Sequence, residues 1–300
     1  MKRFFAVSAA VLVVSPCMAQ SGRLIACDSS RVLYEIDRTT GAKTQIGTIS
    51  TNAGTTGGLA YDCGTRTLYL TSTGNDSLYT LDLASGEATL VGAYGGSEFV
   101  MHGLEWDSST GTLYGVSQHN NGLYRVDTST GAATLIGISG LTSFSNLGYD
   151  SVHDVMYSTN SGADSSYIMD RATGQVTLLG VLGSGSTNPN GLAYDYHTDE
   201  LFMIDNSADN LYTIDRVTGA ALLIGSTGSG NLLGLAYISD DCPSGGCNAD
   251  FNGDQQVDFF DYLDFAAAFD VEDPAADWNG DNQVDFFDYL DFVQALSDCE

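Results

Sequence analysis

The sequence predicts an all-β five-bladed β-propeller followed by a small α-helical domain. Three observations carry this reading. A motif recurs five times at a step near 45 residues, each copy divides into short apolar runs separated by turn clusters, and the acidic tail holds two copies of one loop-and-helix segment. With 300 residues and 43 % apolar content, the chain is large enough to bury a core.

Taken from the N-terminus, Lys2 and Arg3 precede an apolar run from Phe4 to Val14 with small residues around Ala19. This is the pattern of a secretory signal peptide over residues 1–19, too short to span a bilayer, and it predicts a secreted protein, extracellular or attached to a cell surface. Export places Cys27, Cys63, Cys242, Cys247 and Cys299 where disulfides persist. Cys247 and Cys299 bracket the tail and are candidates to clasp it.

Residues 20–239 form the repeating body. Leu-Tyr-x-x-Asp or a close variant ends at Asp37, Asp82, Asp127, Asp170 and Asp215, in steps of 45, 45, 43 and 45. A turn with Gly41, Gly86, Gly131, Gly174 or Gly219 follows, then an apolar strand, then Gly-Leu-Ala-Tyr-Asp or a relative. Four β-rich runs per copy make one four-stranded blade, and the 3.6-residue periodicity of a helical solenoid is missing. The first copy begins at Arg23 with what is the second strand of later copies, so Gly234–Tyr237 is expected to supply its innermost strand and close the ring. The body resembles the repeat propellers common in secreted bacterial proteins, a likeness that carries fold and little function.

The innermost strand of each blade faces the channel, so residues that break the repeat there are site candidates. Where other copies have Ala60, Gly148, Ala193 and Ala236, the second full copy has Glu105, with His102 three residues earlier. A general acid or a ligand contact is one role for this pair; a carboxylate hydrated in the channel or bonded to nearby backbone is the other. Glycoside hydrolysis needs two carboxylates across the scissile bond, and only Glu105 departs cleanly from the repeat.

Residues 240–247 read as a linker, and residues 248–300 as the tail. From Cys247 onward there are 15 acidic and no basic residues, against a net charge of −28 for the whole chain. Such a balance excludes nucleic acid as a partner, since that needs a positive face. Asp250, Asn252, Asp254, Asp258 and Asp261 fall at positions 1, 3, 5, 9 and 12 of a twelve-residue loop, with the Gln256 carbonyl at position 7. Asp277, Asn279, Asp281, Gln283, Asp285 and Asp288 repeat the pattern. Oxygen donors at this spacing wrap around calcium and lead into a helix, so about two calcium ions are expected.

This tail resembles the dockerin modules, EF-hand-like and type I in their duplicated loop, of secreted bacterial polysaccharide-degrading systems. The resemblance implies a cohesin-like partner on a scaffold or surface, chosen in part by Phe259, Phe260, Phe286 and Phe287. Those rings are equally suited to forming the small core of the tail. The function expected from the sequence is a secreted, non-catalytic propeller, not an enzyme, that binds a glycan or protein and is anchored by the tail. The alternative is a polysaccharide-active glycoside hydrolase delivered by the same tail.

Overall fold

The structure is a computed structural model that describes residues 22–96, 99–144, 146–239, 249, 251–252, 257–278 and 283–297. The signal-peptide segment, the Cys247–Cys299 clasp and the loop donors Asp250, Asp254, Gln256, Asn279 and Asp281 lie outside the described residues.

Twenty strands form five four-stranded antiparallel sheets. Four sheets run in chain order from the axis outward: blade II from Thr56–Asp62 to Ala88–Ala93, blade III from Met101–Asp107 to Ala133–Ile138, blade IV from Gly148–Asp150 to Val176–Val181, and blade V from Pro189–Asp195 to Ala221–Ser226. Blade I joins both ends of the body, because Leu232–Ile238 pairs with Arg23–Asp28 ahead of Val32–Ile36 and Lys43–Thr48. Closing the ring in this way leaves no inner edge strand open.

The apolar pattern follows from this geometry. Second strands such as Thr67–Ser72 are buried almost throughout, whereas outermost strands such as Lys43–Thr48 are largely exposed. The core is therefore divided among the blade interfaces. Ile25, Leu33, Leu59 and Leu70 fill the one between blades I and II, and Tyr157, Leu192, Met203 and Ile214 the one between blades IV and V.

Two glycines, one in a strand and one in the turn of the next repeat, set how closely blades approach at the rim of blades II to V. A Cβ on Gly92 would lie 1.9 Å from the Thr130 carbonyl oxygen, and one on Gly137 would lie 2.0 Å from that of Thr173. The partner glycine of each contact, Gly131 or Gly174, also sits in the left-handed region at φ 77° or 69°. The turn glycine and the strand glycine of the motif are thus two halves of one contact.

In the tail, helices α1 (Phe259–Asp270) and α2 (Phe286–Ser297) pack through Phe265 and Phe292, whose rings stack at 3.9 Å with both side chains fully buried. Asp258 caps α1 through a capping box with Asp261. Phe259, Phe260, Phe286 and Phe287 are 63–66 % exposed and take no part in that core. No helix among the described residues is long and apolar enough to cross a membrane.

Candidate functional site in the axial cavity

The innermost strands end on one face of the ring, where they enclose a cavity of about 210 Å³. Its lining includes Asp62, Glu105, Trp106, Tyr149, Tyr194 and Tyr237. Glu105 is placed there because Met101–Asp107 is the innermost strand of blade III and Glu105 stands in register with Ala193 and Ala236, which line the same cavity. Its Oε1 accepts a hydrogen bond from the Trp106 amide at 2.9 Å. Burial pushes the carboxyl up to about 8 against the pull of backbone donors at Trp106 and Tyr149, and the Asp107 charge adds to the rise. A carboxylic acid that keeps its proton at neutral pH is able to donate it.

His102 occupies a different part of the axis. It lines a constriction of about 10 Å³ with Leu59, Leu104, Asn146 and Leu192, and burial lowers its pKa. The register slips between Met101 and Gly103, so the strand between the two candidates is bulged. Glu105 and His102 share a strand and line separate cavities.

Around the cavity rim, arginines tie neighbouring blades together. Arg38, Arg171 and Arg216 each follow the aspartate of a Leu-Tyr-x-x-Asp motif or its variant. Arg38 pairs with Asp195, Arg171 with Asp107, and Arg216 with Asp150, in every case the aspartate that ends the innermost strand of the preceding blade. All three aspartate side chains are fully buried. Each guanidinium also lies over an aromatic ring, Tyr237, Tyr149 or Tyr194, at 5.2–5.7 Å. Blade I ends its innermost strand in Ile238 rather than Asp, and the residue that would reach it is Leu83 instead of Arg; both pack in the same apolar cluster.

The interface between blades II and III differs again. Thr128 takes the arginine position and hydrogen-bonds Tyr69, while Trp106 stacks on Tyr69 at 6.2 Å. Asp62 therefore has no arginine. Its carboxylate accepts from the Thr65 hydroxyl at 2.6 Å and the Thr65 amide at 3.3 Å, and among the described residues no ion pair to it is found.

A second cluster lies at the interface of blades IV and V. Donor atoms of Asp150, His153 and Asp199 fall within 4.8 Å of one another, an arrangement able to hold a metal ion. In the structure Arg216 spans Asp150 and Asp199, and His153 Nδ1 lies 3.0 Å from the Asp150 carboxylate. A metal would have to displace that guanidinium. The sequence did not single out this cluster, because its three members sit in ordinary turn positions of two different repeats.

These sites correct one expectation. The non-catalytic reading, with an enzyme held less likely, gives way before a metal-capable His/Asp cluster. A proton-holding carboxyl in an axial cavity points the same way. Of the cysteines, Cys27 is a free, fully buried thiol whose pKa burial raises to about 12, and Cys63 is disulfide-bonded.

No family model and no curated protein matches the chain, so the assignments to dockerin, cohesin binding and polysaccharide breakdown are withdrawn as identifications. What is established for the tail is its pair of helices. Among solved structures, a chain of the nidogen/laminin complex is similar at 15 % identity and TM-score 0.53, over 74 % of this chain and all of that one. A symmetrical protein from a study of de novo evolutionary emergence is similar at 20 % identity and TM-score 0.50, over 71 % of this chain and 97 % of that one. Virginiamycin B lyase from Staphylococcus aureus is similar at 12 % identity and TM-score 0.47, over 72 % and 74 %. At these identities the likeness is one of fold.

Proposed function

We propose that the ring is a glycoside-cleaving enzyme whose site is the axial cavity and whose proton donor is Glu105. The observation that carries this reading is a carboxyl group held up to about 8 in a cavity walled by Trp106 and several tyrosines. A leaving alkoxide needs a proton as its C–O bond breaks, and an acid with a raised pKa retains one for it. Aromatic faces suit the apolar faces of a sugar ring, and the cavity has room for one ring-sized group. On a panel of phenyl glycosides the protein should show turnover that Glu105→Gln lowers by at least about 100-fold while the variant stays folded. Equal rates for the two proteins would remove Glu105 from the chemistry.

For the tail, the reading is that Asp250, Asn252, Asp254, Gln256, Asp258 and Asp261, with their counterparts Asp277, Asn279, Asp281, Gln283, Asp285 and Asp288, hold two calcium ions. Support comes from the last donor of each loop. Asp261 and Asp288 are fully buried and turned back on their own loops, accepting from Asp258 and Asp285 amides at 2.8 Å. The exposed rings of Phe259, Phe260, Phe286 and Phe287 are the surface proposed to meet a partner. Residues 1–19 are proposed to direct export.

A further inference from the structure

We infer that Asp62 is the second carboxylate of the axial site, the base that activates water opposite the proton donor Glu105. This inference rests on the glycoside-cleaving reading above. Its basis is a convergence of exceptions. Asp62, Asp107, Asp150 and Asp195 end the innermost strands of blades II to V in register. Three of them are consumed by an arginine from the next blade. The fourth, Asp62, is the one whose next blade carries Thr128.

The same interface holds two further departures from the repeat. Glu105 replaces a small residue and Trp106 replaces tyrosine, both on the innermost strand of blade III and both lining the cavity with Asp62. Here one change adds a proton donor, one removes a cation that would occupy a carboxylate, and one adds an indole face, all at one blade interface. Trp106 stands in register with Tyr149, Tyr194 and Tyr237, the rings that carry a guanidinium elsewhere, and stacks on Tyr69 instead.

The chemistry balances with water as the only co-reactant. Asp62 takes a proton from water as the water oxygen bonds to the anomeric carbon; the C–O bond to the leaving group breaks with its electron pair on oxygen, and Glu105 supplies the proton that oxygen needs. Glu105 regains a proton and Asp62 loses one to solvent, which restores both groups.

Leaving-group dependence separates the two roles. Phenyl and 2,4-dinitrophenyl glycosides would be compared on the full-length protein, since dinitrophenolate departs without a proton. Glu105→Gln should lose phenyl glycoside turnover by at least about 100-fold and fall far less on the dinitrophenyl substrate, whereas Asp62→Asn should lose both by at least about 100-fold. Thr128→Arg provides a variant that leaves Asp62 untouched at an exposed turn position. By restoring the inter-blade pair it should also lose both activities, and it decides the matter should Asp62→Asn fail to fold. If Glu105→Gln shows the leaving-group split while Asp62→Asn or Thr128→Arg stays within a few-fold of wild type, the inference falls and the glycoside-cleaving reading stands. Absence of turnover of any glycoside by the wild-type protein overturns both.

Discussion

Glu105 and Asp107 are two residues apart on one strand and meet opposite surroundings. Asp107 is fully buried yet accepts from the Ser109 amide and hydroxyl and pairs with Arg171. Glu105 has backbone donors alone to offset burial, and its pKa rises from 4.5 to about 8. Because the folded-state pKa is raised, the folded protein binds the proton more tightly than the unfolded chain. The favourable contribution is complete below about 4.5 and is lost as pH climbs through about 8. Urea unfolding of wild type should therefore show stability falling across that window by a few kcal/mol at most, and Glu105→Gln should flatten that fall. A Gln variant with the wild-type slope would place the titration elsewhere. Glu105 was legible in the sequence because it broke a repeat of small residues. Asp62 was not, since it stands in register with Asp107, Asp150 and Asp195. Its distinction lies in Thr128, a residue of the neighbouring blade, and that adjacency exists only once the ring is closed.

At the scale of elements, the strands were legible because turn chemistry marked every boundary. Asp37, Asp82, Asp127 and Asp215 each accept hydrogen bonds from the turn that follows, which holds their carboxyls below the usual range. The inter-blade contacts were less legible, because the period of one repeat cannot say which residue of the next it touches. Arg38, Arg171 and Arg216 read as surface charges until their aspartates appear beside them. In the tail, α1 and α2 were legible from the duplicated Asp-Phe-Phe-Asp-Tyr-Leu-Asp-Phe, and the Phe265–Phe292 stack pairs equivalent positions of the two copies. Helices of 12 residues are marginal alone. If calcium neutralises the loop carboxylates, chelator should abolish the helical circular-dichroism signal of the full chain and leave its β signal intact, and calorimetry should count about two ions. A helical signal indifferent to chelator would return the tail to a self-sufficient helix pair.

The whole chain carries −28 at neutral pH, and the two ends of its ring meet in one sheet. In blade I the partner of Arg23 is Ile238, so the first and last ladder residues of the body face each other across a single antiparallel pair. Mechanics follows from that register. Antiparallel hydrogen bonds lie across the strands, so tension applied between the two termini of the ring loads them one at a time, like a peeled tape, rather than together. Extension of the protein between handles at residues 22 and 239 should rupture at lower force than extension between handles on Val126 and Glu200, where load crosses whole blades. Equal forces would mean that the seam does not fail first. A ring held by its tail and pulled through its other end would thus open at the stitch where the chain joins itself, and unravelling there strips Gly234 from its partner Cys27.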